Sequence, residues 1–163
     1  MFVFVSAQRV SELFLSKRNT KIALAKGAVE KNGGHYPLFF VLHISWMVSW
    51  TIESLFGGEM SAFWPFWTVL FLLAEGIRYW AIFTLGENWN TRIFVIPGNV
   101  SVRKGPYRFL KHPNYAAVAL EIFSLPMIFN SYWTAAAFSI LNALLLLLIR
   151  IPAENAARKT AIN

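Results

Sequence analysis

Four apolar runs, at residues 39–56, 63–85, 115–129 and 133–149, approach or exceed the ~20 residues a helix needs to cross the hydrocarbon core of a bilayer. A shorter run occupies residues 1–15. In lipid, backbone polar groups have to be satisfied internally, so such segments span as helices. The expected fold is therefore all-α: a polytopic membrane protein of about five transmembrane helices. Composition agrees, with 56% of the 163 residues hydrophobic and 14% charged, against roughly 25% charged in soluble domains. Internal repeats and low-complexity linkers are absent, which predicts a single domain over residues 1–163. Arg9 and Glu12 interrupt the first run and no small-residue cleavage site follows it, so no cleavable signal peptide is expected.

Three polar segments separate the runs, at 16–36, 86–112 and 150–163, and they hold every Lys and Arg except Arg9 and Arg78. The turns at 57–61 and 130–132 hold none. The positive-inside rule places the basic segments in the cytoplasm, with the N-terminus outside and the C-terminus cytoplasmic, as an odd number of spans requires. Trp64, Trp67, Tyr132 and Trp133 flank these two turns, where an interfacial aromatic belt belongs. The net charge of +7 follows a membrane face, so anionic membrane lipid accounts for it and nucleic acid is not an expected partner.

Charges inside spans are costly and mark function by default. Arg9 with Glu12, and Glu75 with Arg78, stand three residues apart, so each pair can neutralise itself on one helical face. Glu121 stands alone in the fourth run and needs a partner, a proton or water. Glu53 lies near an outer turn and reads as solvated. Pro126 is expected to kink the fourth helix, its freed carbonyl being satisfied by a neighbouring helix. Without cysteine or aspartate, and with only His35, His43 and His112, no metal site is expected.

The stretch RKGPYRFLKHPNYAAVALEI, residues 103–122, runs basic turn chemistry into the fourth span. Gly105-Pro106-Tyr107 reads as a turn, and Pro113 suits the first turn of a helix. His112 and Tyr115 then lie at a helix N-terminus that favours an anionic group. The fifth run ends in RIPAEN, where Arg150 and Glu154 are spaced for an ion pair that Pro152 can deform. A short outer turn makes the last two spans antiparallel, so His112, Tyr115, Arg150 and Glu154 are expected at one membrane face. Spacing alone equally fits an interfacial ion pair with a snorkelling basic rim.

GPYRFLKHPNYAAV, followed about forty residues later by RIPAEN, resembles the isoprenylcysteine carboxyl methyltransferase signature G-P-Y-x-x-x-R-H-P-x-Y, then R-x-x-x-E-E. LGENWNTRIFVIPG, residues 85–98, is similar to the segment preceding that motif, and residues 16–43 are similar to the bacterial branch that O-methylates long-chain alkylpyrones. The resemblance implies an integral-membrane methyltransferase of the bacterial cytoplasmic membrane, its active site facing the cytoplasm. It implies S-adenosylmethionine as cofactor, S-adenosylhomocysteine as product, and residues 86–163 as the cofactor-binding part. Tyr107, His112, Tyr115 and Glu154 match cofactor-contacting positions, and Arg150 with Glu154 matches the catalytic Arg/Glu motif. No G-x-G occurs, so a Rossmann-type phosphate loop is missing. Lys111 replaces the usual arginine, Ala117 a frequent glycine and Asn155 the second glutamate. The implied acceptor is a lipophilic, alkylpyrone-like molecule arriving from the bilayer, with Glu75, Arg78 and Glu121 as candidates for lining its route. Prenylcysteine or phospholipid methylation, and a non-catalytic scaffold, are the alternatives.

Overall fold

The computed structural model describes residues 1–31, 33–57, 59–96 and 102–159. The described residues are 80% helical, in the order α1 (Phe2–Ala25), α2 (Tyr36–Gly57), α3 (Trp64–Leu85), α4 (Pro113–Ile128), α5 (Tyr132–Leu145), a π turn (Leu146–Arg150) and α6 (Ile151–Lys159). Strands β1 (Val29–Glu30) and β2 (Phe94–Val95) form a short antiparallel ladder that pairs Val29 with Val95 and Glu30 with Phe94, an addition to the all-helical expectation.

Three helical segments are long and apolar enough to cross a membrane: Gly33–Gly57, Trp64–Asn88 and Tyr132–Arg158. They present large apolar side chains outwards, among them Phe56, Phe83, Trp133 and Leu148, an exterior suited to lipid rather than water. The chain is an integral membrane protein. Of the two other expected spans, α1 carries Arg9 and Glu12 and a polar second half. The other, α4, has 16 residues and is about 24 Å long, short of the ~30 Å hydrocarbon core.

Two segments expected as polar connections are largely helical. Helix α1 continues to Ala25 because Lys, Arg, Ala and Leu sustain a helix outside lipid as well as inside it. Its polar residues then support the loop after α3: the Asn19 side-chain amide donates to Gly86 O at 3.0 Å and Trp89 O at 2.7 Å, and Asn90 donates to Thr20 Oγ1 at 2.8 Å. Beyond α5 the helix runs through the π turn into α6, which begins one residue before Pro152. Proline has no N–H for the regular ladder, and a widened turn is one way a helix continues past such a site.

The core is a cluster of Val5, Leu42, Trp46, Trp50, Phe71, Val118, Ile122, Leu125 and Ile128. Leu42, Trp46 and Trp50 recur every four residues, one stripe of α2. Pro126 lies inside α4 and cannot donate to Ile122 O; the buried Trp46 Nε1 donates to that carbonyl instead, at 3.1 Å. Glu53 differs from its expected solvated state. Its carboxylate accepts from Trp133 N at 3.0 Å, Thr134 N at 2.8 Å and Thr134 Oγ1 at 2.6 Å, satisfying the free donors at the start of α5.

Candidate functional site

A 3-10 turn, Gly105–Arg108, leads to α4. Gly105 has φ 53°, and a Cβ there would collide with Thr84 and Trp80 of α3, so glycine is required where the turn meets that helix. Pro113 then starts α4 with His112 as its N-cap. One turn later Tyr115 faces back, its ring stacked on His112 with centroids 5.1 Å apart and 11° between planes.

These groups converge on Glu154. Tyr115 donates its hydroxyl to Glu154 Oε2 at 2.6 Å, His112 Nδ1 faces the same oxygen at 3.4 Å, and Arg158 donates to Oε1 at 3.0 Å. The expected Arg150–Glu154 pair is replaced by Arg158–Glu154. Arg150 ends the π turn, and its guanidinium points elsewhere: Nε donates to Tyr115 Oη at 3.1 Å and Nη2 to Thr91 O at 2.9 Å, with His35 Nε2 at 3.4 Å from Nη1. Thr91, His35 and Arg158 are additions that the C-terminal spacing did not signal. Tyr107 is half-buried, and burial together with the charge of Glu154 pushes its hydroxyl up to about 12. Burial also lowers the His112 pKa, Glu154 offsetting this in part. The imidazole is therefore neutral near pH 7, with Nδ1–H the tautomer that a facing carboxylate favours. Nε2 of His112 and Oδ1 of Asn114 are buried with no hydrogen-bond partner among the described residues.

Tyr107, His112, Tyr115, Arg150 and Glu154 all line one cavity of about 1700 Å³. Its apolar walls come from α2 and α4, including Phe39, Phe40, Ile44 and Val118. Arg9, Glu12 and Arg78 line it as well. Arg9 pairs with Glu12 at 2.9 Å, but the expected self-contained Glu75–Arg78 pair is stretched to 4.0 Å. Arg78 instead donates to Glu121, as Arg9 does, and Gln8 donates to Glu75. Glu121, alone in sequence, is thus held by two guanidiniums from α1 and α3 and is fully buried. Of the three residues expected along an acceptor route, Arg78 reaches the cavity wall, while Glu75 and Glu121 lie behind it.

The model of the isoprenylcysteine carboxyl methyltransferase family matches residues 67–159, a stretch that contains all five converging side chains. "Uncharacterized protein YpbQ" of Bacillus subtilis is 39% identical over 158 residues, 96% of this chain and 94% of the relative. An "Uncharacterized protein" of Haemophilus influenzae is 24% identical over 158 residues, covering 96% and 91% of the two chains. No solved structure matches.

Proposed function

Because the chain belongs to the isoprenylcysteine carboxyl methyltransferase family, whose members are membrane methyltransferases, we propose that it O-methylates a lipophilic, alkylpyrone-like acceptor at the cytoplasmic face of a bacterial cytoplasmic membrane. In this reading five spans leave the N-terminus outside, and S-adenosylmethionine is the cofactor. The observation that carries it is the Glu154-centred cluster opening, with unpartnered buried polar atoms, into a cavity that also has an apolar wall from α2 and α4.

The polar atoms present fit such a group. Glu154 accepts from hydroxyls or an ammonium, and Tyr107 packs against the adenosyl portion. Asn114, in the first turn of α4, supplies a further unpaired polar atom. His112 fits a donor better than the carboxylate its helix-terminal position suggested, because with Nδ1–H turned to Glu154 its Nε2 presents a lone pair. When bound, S-adenosylmethionine supplies an electrophilic methyl group on a positively charged sulfur. Arg150, braced by Tyr115 and Thr91, orients the acceptor oxyanion. An ionised enol or carboxylate needs positioning and desolvation more than a base.

A neutral His112 with a free Nε2 favours one second reading, methylation of a phospholipid amine, since an amine must first lose a proton and this nitrogen can take it. Calorimetric titration of detergent-purified protein with S-adenosylmethionine and S-adenosylhomocysteine tests the main reading. Saturable binding is expected, weakened by Glu154→Ala and His112→Ala and mostly retained by Arg150→Ala, which loses turnover. Absence of binding by a folded sample overturns the methyltransferase assignment; Glu154→Ala and Arg150→Ala weakening binding equally overturns the division of roles.

A further inference from the structure

Helix α5 and the turn after it read FSILNALLLLL over residues 138–148. Two polar side chains, Ser139 and Asn142, stand one turn apart on the same face. A hydroxyl in a membrane helix ordinarily bonds its own backbone, as Ser45 does to Val41 O, Thr51 to Met47 O and Thr84 to Trp80 O, each at 2.7 Å. Ser139 does not: its Oγ is buried without a partner among the described residues. Asn142 Oδ1 is likewise buried and unpartnered, in a side chain only 1% exposed. Nothing in the packing accounts for two such groups, and an unmade buried hydrogen bond is costly.

Both side chains line a second cavity, of about 320 Å³, between α4 and α5. Ala119 and Ala143 are among its wall residues, and their small size leaves the gap. Leu147, on its lip, is largely exposed towards lipid. The two cavities share His112, Tyr115, Asn142 and Leu146, so Asn142 stands where they meet, beside the Tyr115 hydroxyl that Arg150 holds. We infer that Asn142 and Ser139 form the recognition subsite for the methyl acceptor, in a passage between α4 and α5 that opens to the bilayer, and that they select a head group carrying a hydroxyl or carbonyl beside the oxygen that is methylated. The inference rests on the methyltransferase reading above and narrows its acceptor. Asn142 Oδ1 requires a hydrogen-bond donor, which a hydroxyl offers and a carboxylate lacks; Ser139 Oγ can donate to a carbonyl or accept from a hydroxyl.

The test compares full-length wild type with Asn142→Leu and Ser139→Ala in detergent, by melting temperature without ligand, by S-adenosylhomocysteine affinity, and by methyl transfer to two probes. The probes are a long-chain alkylpyrone with a second ring hydroxyl beside the one that is methylated, and N-acetyl farnesylcysteine. Asn142→Leu removes an unsatisfied group from a site it matches in volume, so its melting temperature should rise. Its S-adenosylhomocysteine affinity should stay within about twofold, while kcat/KM for the alkylpyrone falls about tenfold to hundredfold, mainly through KM. Farnesylcysteine turnover should move far less. A lowered melting temperature, or cofactor affinity lost in step with turnover, would make Asn142 structural and overturn the inference, as would unchanged alkylpyrone kinetics. Wild type that binds S-adenosylhomocysteine but neither methylates nor binds the alkylpyrone, followed by tryptophan fluorescence, overturns the subsite and leaves the methyltransferase reading standing. Failure of wild type to bind S-adenosylhomocysteine overturns that reading instead, and the effect of Asn142→Leu on alkylpyrone binding then decides the subsite by itself.

Discussion

Trp46 shows how one side chain makes a proline tolerable inside a membrane helix. Pro126 frees Ile122 O, and Trp46 Nε1 occupies it at 3.1 Å. Trp46→Phe keeps an aromatic ring but strands that carbonyl, at a cost of about 1–3 kcal/mol. Adding Pro126→Ala restores a backbone donor, so the double variant should recover part of the loss; additive losses in a denaturation cycle would show that the bond does not matter. Pro126 announced the freed carbonyl in the sequence, but its partner lies 76 positions away and no local pattern could name it. His112 carries the second prediction at this scale. Burial lowers its folded pKa, so the native state binds fewer protons than the unfolded chain. Its contribution to stability is complete above the unfolded value of about 6.5 and is lost as pH falls through the lower folded value. Melting temperature should therefore drop on acidification across that window, and His112→Asn should flatten the drop. An unchanged profile in the variant would assign the acid sensitivity to another group.

Elements were legible where apolar content alone defines them and less so where helix and bilayer boundaries part company. The runs at 39–56 and 133–149 fall within apolar helical segments, and the run at 63–85 does so but for Phe63, because continuous apolar sequence and helix formation coincide in lipid. The second half of α1 and all of α6 look like polar segments in the sequence because charge marks the edge of the membrane and not the end of a helix. The same distinction hid the turning of Arg150 away from Glu154, since a fixed four-residue spacing assumes regular α geometry and the π turn at Leu146–Arg150 departs from it. Pro152 is the only proline in this part of the chain. Pro152→Ala supplies the missing N–H and an intrinsically better helix former, and should raise the melting temperature by removing a residue that costs a helix interior about 3 kcal/mol. If the π turn holds Arg150 against Thr91 and Tyr115, the same change should lower turnover while cofactor affinity stays near wild type. A variant gaining stability with full turnover would separate the widened turn from the site.

Across the whole molecule the buried charges join helices that sequence order keeps apart. Glu121 of α4 receives Arg9 of α1 and Arg78 of α3, and Arg78 also approaches Glu12 of α1 at 3.5 Å. Spacing exposed the i, i+3 pairs but not this three-helix junction, which exists only after packing. Removing one partner of a buried network leaves the others uncompensated. Glu121→Gln leaves Arg9 and Arg78 to share Glu12 and the more distant Glu75 and should cost about 3–5 kcal/mol, whereas exposed Glu87, paired to Lys26 at 2.8 Å, should tolerate Glu87→Gln with little change in melting temperature. The junction also bears on how α1 lies. Its charged face is turned to α3 and α4, so α1 can stand within the membrane despite Arg9 and Glu12, as a five-span arrangement with an outside N-terminus requires. The chain has no cysteine, which makes that arrangement directly measurable by single introduced cysteines in intact cells and a membrane-impermeant thiol reagent. Met60→Cys and Tyr132→Cys, at the turns without Lys or Arg, should label from outside, and Lys21→Cys and Lys104→Cys should label only after the membrane is opened. Phe2→Cys, at the start of α1, should label from outside as well; its protection in intact cells, with Met60→Cys still labelled, would mean that α1 does not cross and would reduce the proposed five spans to four.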